Sequence, residues 1–237
     1  MSETLRDPRI AEGMRAQMAL RQRLLDGGAR QIGWKVGLGA PAMQTKCNLT
    51  APIVGFLLDR AQLSSGADVS LAGWHKPVAE AEIAAYIGHD LRAGADRDEV
   101  RKAIVALGPA IELADPTTPM DDVQAALAGG IFQRHVILGP RDPMRSGARL
   151  HGLKGRVTRS GQDVPVPTDL ETNIGELVNI VRHVADIAAA VGGGLRAGQF
   201  IICGSLTPPM FLEASERSVD FELSPIGSVS VRFSHED

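Results

Sequence analysis

Apolar positions along this chain switch between a helical and an extended period, and the switches mark out its elements. In residues 7–27, Ile10, Met14 and Met18 recur every fourth position, Leu24 and Leu25 continue the stripe, and Gly27-Gly28 ends it. That spacing predicts an amphipathic helix with a glycine stop. Residues 31–38 read as a strand interrupted by Gly33 and Gly37, where backbone or ligand approaches closely. Residues 39–52 show no period and read as a loop before a short apolar run at 53–58. Between 69 and 138, strand-like runs alternate with helical spacing. Residues 96–107 place Val100, Ile104 and Leu107 on one face behind an acidic first turn. Residues 121–127 predict a second, short helix closed by Gly129-Gly130, and 136–139 a further strand.

The last third opens with a hairpin signature at 153–167, where Ser160-Gly161 suits a two-residue turn. A helix is predicted at 173–191, with Leu177, Ile180, Val181 and Val184 facing inward and Gly192-Gly193-Gly194 as its stop. Three strands, at 200–206, 218–227 and 228–234, close the chain. Strands outnumber helices without strict alternation, which predicts an α+β fold.

The chemistry concentrates in three glutamates. Glu80 and Glu82 are two apart on a predicted strand and so share a face. Paired carboxylates raise each other's pKa unless a cation lies between them. Glu112 sits in the apolar run Pro109-Ala110-Ile111-Glu112-Leu113, where an unpaired carboxylate is costly. Together they form an all-oxygen set suited to Mg²⁺, Mn²⁺ or Ca²⁺ rather than zinc. On spacing alone, solvated strand-face residues account for them as well.

Composition narrows the setting. The 237 residues are 44% hydrophobic and 22% charged, with a formal net charge of −3. No basic surplus favours nucleic acid or anionic membrane, and no apolar run reaches the length of a membrane span. Two cysteines, Cys47 and Cys203, are too few for a disulfide framework, so the expected compartment is the cytoplasm. Cys203, in F-I-I-C-G-S, reads as a small buried hydrophobe.

Several strings, in order, resemble one family. They are G-W-K-V-G-L at 33–38, A-M-Q at 42–44, E-A-E-I-A at 80–84, P-A-I-E at 109–112, L-G at 138–139, L-R-A-G-Q at 195–199 and G-S-L-T-P-P at 204–209. The set resembles the hydratase/decarboxylase branch of the fumarylacetoacetate hydrolase superfamily, typified by 2-keto-4-pentenoate hydratase. The resemblance implies a mixed β-sandwich roll with peripheral helices, usually homo-oligomeric. Residues 1–60 would pack on a catalytic roll at 61–237, or the whole would be one domain. It implies one Mg²⁺ or Mn²⁺ on Glu80, Glu82 and Glu112, and a small α-keto acid as substrate. Lys35 then becomes the candidate acid/base or anchoring residue; without the resemblance, a snorkelling lysine at a strand end is the simpler reading. Ser205, Thr207 and Gln44 become candidates for substrate binding.

The strings also depart from the family. Ile53 stands where an acidic residue is common, Gly39-Ala40-Pro41 replaces a polar triplet, residues 129–135 replace D-N-A-S, and Glu176 stands where histidine is common. Glu176, Arg134 and His135 are the polar residues that would replace what is lost. The implied activity is a hydratase acting on a 2-hydroxy-2,4-dienoate in aromatic catabolism. A 4-oxalocrotonate-type decarboxylase, a keto–enol tautomerase, and a non-catalytic partner of an active homologue stand as alternatives.

Overall fold

The computed structural model describes residues 3–235. Its elements are α1 (Pro8–Asp26), β1 (Gln31–Gly37), α2 (Pro41–Cys47), β2 (Ile53–Leu58), β3 (Gln62–Ser64), β4 (Ala67–Ser70) and β5 (Val78–Ile87). Then follow α3 (Arg97–Ala103), β6 (Ile104–Ala114), α4 (Val123–Ala128), β7 (Gln133–Leu138), β8 (Lys154–Arg159) and β9 (Gln162–Val164). The chain ends with α5 (Leu177–Ala190), β10 (Phe200–Ser205), β11 (Met210–Phe211), β12 (Ser218–Ser224) and β13 (Gly227–Ser234).

The larger sheet runs β2-β1-β10-β5-β6-β7-β3, with β11 also paired to β5. The chain itself forces this sheet to curl. β2 ends one edge at Leu58 and β3 begins the other edge at Gln62, with only Asp59–Ala61 between them. Laid flat, six gaps between strands would separate those edges by about 29 Å. Four residue steps reach at most about 14 Å. The sheet therefore wraps into a roll. The smaller sheet, β4-β13-β12-β8-β9, lies against the roll's outer face through β12 and β13. Its alternation is clean: Val219, Phe221 and Leu223 are buried while Asp220 and Glu222 face out.

The register assigns the two faces of the roll. Lys35 pairs with Ile202, Ile202 with Ala84, Glu82 with Ala110, and Glu80 with Glu112. These residues all point inward, so the roll's interior carries an apolar cluster that includes Leu57, Val136, Phe200 and Ile202 together with every residue of the ionisable set. Trp34, Ile83, Ile111 and Ile137 point outward into the main core, shared with the helices and the smaller sheet.

Helix α1 packs on α4 at a very close approach. A Cβ on Gly13 would lie 2.7 Å from Leu127 Cβ and 2.9 Å from the Gln124 carbonyl oxygen. Alanine at a helix interior gains up to about 1 kcal/mol in propensity, but overpacking against backbone costs about 1–3 kcal/mol. Packing should win. Gly13→Ala is expected to lower Tm by several degrees, read by thermal unfolding; an unchanged or raised Tm would mean that the helices separate freely.

Three predicted boundaries move. The stretch at 39–52 contains α2, whose seven residues, started by Pro41, are too few to show a period. The helix expected at 96–107 stops at Ala103. Ile104 and Leu107 keep helical spacing but belong to β6, because Ile104 and Val105 are β-branched and the segment pairs with Ile87 and Ala85 of β5. α5 begins at Leu177, not 173; Glu176 precedes it without a side-chain capping bond, and the Leu177 N–H donates to Glu171 Oε1 at 2.8 Å instead. The hairpin at Ser160-Gly161 forms as expected, with φ of 48° and 82°.

Candidate active site

β5 and β6 are antiparallel neighbours, and Glu80 and Glu112 face each other directly across the pair, with Glu82 one inward step along. One carboxylate oxygen from each lies within 4.8 Å of the others. No other such group of histidine, cysteine or acidic residues occurs among the described residues. Glu112 is fully buried and Glu82 nearly so. From β1, across the roll, the buried Lys35 reaches this set: its Nζ donates to Glu112 Oε1 and, at 3.1 Å, to the Ile131 carbonyl.

The electrostatics follow from that geometry. Burial, then the charge of Glu112, push the Glu80 carboxyl up to about 7, with Lys35 pulling the other way. Burial drives Glu82 well above the usual range, reinforced by Glu112 and Glu80. Glu112 is also raised by burial, against the pull of Lys35. Two buried carboxylates and the half-buried Glu80 thus share one ammonium, and two negative charges would be left over if all were ionised. Glu112 Oε2 is buried with no hydrogen-bond partner. This donor set fits a divalent, oxygen-preferring ion.

Gly204, at φ 100°, turns its N–H onto Glu82 Oε2 at 2.6 Å and so orients that carboxylate. The turn that follows places Ser205 and Thr207 beside it. Both hydroxyls are buried with no protein partner. Apart from the fully buried Glu112, the group opens onto a cavity of about 320 Å³ lined by Lys35, Glu80, Glu82, Ser205 and Thr207 at its polar end. Leu38, Met43, Met120, Phe132, Ile174 and Pro208 are among the apolar residues that line the remainder.

Other sequence candidates lie elsewhere. Gln44 does not line the cavity; its side-chain amide donates to Gly39 O at 2.8 Å. Ile53 is buried opposite Gly37 on the β1–β2 pair, also away from the cavity. Glu176 binds Arg97, with Arg97 Nη1 donating to Oε2 at 2.9 Å, and this bond holds its carboxyl below the ordinary value. The Arg134 guanidinium lies 4.8 Å from the Trp74 ring centre. His135 is partly buried beside the same ring, and burial lowers its pKa. None of these three enters the cavity wall.

Sequence reasoning missed Ile131, Phe132 and Asn173. Ile131 and Phe132 both adopt left-handed φ, of 56° and 61°, at a cost of about 1–2 kcal/mol each. Their only signal was negative, an apolar segment in place of D-N-A-S. Asn173 lines the cavity with its amide donating to Leu206 O at 2.8 Å.

The family model described as "Fumarylacetoacetate (FAA) hydrolase C-terminal" matches residues 33–234. The chain belongs to the fumarylacetoacetate hydrolase family. Among relatives in that family, a 2-hydroxyhexa-2,4-dienoate hydratase from Comamonas testosteroni is 29% identical over 87% of this chain and 79% of its own length. A 2-keto-4-pentenoate hydratase from Paraburkholderia xenovorans is 25% identical over 98% of this chain and 87% of its own. The solved 4-oxalocrotonate decarboxylase of Pseudomonas putida G7, complexed with magnesium and adipate, shares the fold with a TM-score of 0.84. It covers 99% of this chain and 90% of its own, at 22% identity.

Proposed function

We propose that the protein is a divalent-metal-dependent hydratase that converts a 2-hydroxy-2,4-dienoate to a 4-hydroxy-2-oxo acid. The observation that carries this reading is the two-ended cavity. One end is lined by Glu80, Glu82, Lys35 and two unpartnered hydroxyls, with the fully buried Glu112 bonded to Lys35; the other end is apolar. Among the lining residues Lys35 is the one cation, and it already faces Glu112. Nothing in that wall matches a second substrate carboxylate, so the cavity suits a monoacid with a short hydrocarbon tail better than a diacid.

Glu80, Glu82 and Glu112 would hold the metal. When bound, it would supply positive charge that stabilises the negative charge developing on the substrate. Ser205 and Thr207 donate their free hydroxyls to the substrate carboxylate. Lys35 gives a proton to C5 and takes the 2-hydroxyl proton in its place as the dienol becomes an enone. Water then adds its oxygen to C4 and its proton to C3. The apolar wall keeps bulk water from competing at other carbons. Relatives named as hydratases support the reaction class, and the same reading implies a homo-oligomer working in the cytoplasm. No helix among the described residues is long and apolar enough to cross a membrane.

The test is proton NMR of 2-hydroxypenta-2,4-dienoate with the protein, with and without Mg²⁺. Metal-dependent formation of 4-hydroxy-2-oxopentanoate is expected. Ketonisation without a hydrated product would turn the reading to a tautomerase, and CO₂ release from a diacid analogue to a decarboxylase.

A further inference from the structure

Lys35 is held from two sides, and one of those holds comes from a residue with no ionisable group. Its ammonium donates to Glu112 and, at 3.1 Å, to the backbone carbonyl of Ile131. Ile131 follows Gly130 at φ 73° and precedes Phe132, so three successive residues have left-handed φ. A β-branched residue keeps that conformation only where its surroundings over-determine it. Here they do. The Ile131 N–H donates to Ala126 O at 2.7 Å in the last turn of α4, and the Asp115 N–H donates to Phe132 O at 2.9 Å.

Between these anchors the Ile131 side chain rests on a floor of two glycines. A Cβ on Gly37 would come 2.7 Å from Ile131 Cγ2, and one on Gly55 3.1 Å from Ile131 Cδ1. Gly55 is also the cross-strand partner of Lys35, and its Cβ would come 3.2 Å from Lys35 Cγ. The missing side chains therefore make room for the lysine stem and the isoleucine together.

We infer that Ile131 is a positioning residue for the proposed reaction: its side chain, locked on the Gly37–Gly55 floor, aims its own carbonyl at Lys35 Nζ. Two of the three ammonium N–H bonds are then used, and the third is left for the cavity that Lys35 lines. This inference rests on Lys35 being the proton carrier. A side chain needed only for packing would not have its own carbonyl turned onto a buried ammonium.

The test compares Ile131→Gly, Ile131→Val and Lys35→Met. Glycine leaves the left-handed φ accessible but removes the anchor, so kcat should fall about tenfold or more. KM and Mg²⁺ affinity should stay within about twofold, and valine, which keeps the branched Cβ, should recover most of the turnover. If folded Ile131→Gly turns over within about twofold of the parent while Lys35→Met is inactive, the inference is overturned. If Lys35→Met is itself active, the role of Lys35 fails first and takes the inference with it. Should Ile131→Gly not fold by near-ultraviolet circular dichroism, Gly55→Ala carries the same test. It crowds both side chains from a strand outside the cavity wall and should lower kcat in the same way.

Discussion

Lys35→Met is expected to lower turnover by about 10²–10⁴-fold and to destabilise the fold by about 3–5 kcal/mol. The two losses have separate causes. Turnover falls because the cavity's one cation, the proposed proton carrier, is gone. Stability falls because Glu112, fully buried, loses the partner that offsets its desolvation and is left as a stranded carboxyl that ionises only at a cost. Methionine is close to lysine in volume, so cavity formation adds little. A second substitution separates the effects. Adding Glu112→Leu removes the stranded charge, and replacing both members of a buried pair by apolar groups is often neutral or better. The double variant should regain most of the lost denaturation midpoint and none of the turnover. If Lys35→Met alone unfolds at the parent's midpoint, the pair does not hold the buried charge as described.

Glu80→Gln with Glu82→Gln is expected to abolish Mg²⁺ binding by calorimetry, and turnover with it, while making the metal-free fold more stable at pH 8. The sign follows from the raised pKa values. Glu80 titrates at about 7 in the folded state against 4.5 for an ordinary glutamate, and Glu82 shifts the same way. A carboxyl with a raised folded pKa contributes stability that is fully present below about pH 4.5 and is lost as pH rises through 7. For Glu80 the loss is up to about 3 kcal/mol. The metal-free parent should therefore melt lower at pH 8 than at pH 5, and Mg²⁺ should reverse the difference. The glutamine pair should show neither effect. A flat melting profile for the metal-free parent would mean that water reaches these carboxylates.

The elements that could be read from the sequence were those whose burial is one-sided. The α1 stripe, the β12 alternation and the Ser160-Gly161 turn each carry their pattern locally, because a single face or a single φ requirement dictates it. Ile104 and Leu107 misled because i, i+3 and i+4 spacing is also met by chance in an apolar strand buried on both faces. Glu80 and Glu82 were legible as a same-face pair. Their partner Glu112, thirty residues on, was legible only as a carboxylate out of place in an apolar run, until the strings as a set suggested the family.

By itself the sequence determined the α+β class, the positions of the longer helices and the hairpin within a few residues, Glu80 and Glu82 as a same-face pair, and Glu112 as a carboxylate out of place in an apolar run. Those follow from period, turn chemistry and the cost of burying charge, which are local quantities. Only the tertiary structure decided that β2 and β3 close the sheet into a roll. It alone brought Lys35 from β1 onto Glu112 of β6, turned Gln44, Glu176, Arg134 and His135 away from the cavity, and placed the Ile131 carbonyl on Lys35. These depend on which strands become neighbours and how tightly the sheet curls. That curl is set by a three-residue link and by glycines whose empty space has meaning only once the opposing side chain is in place.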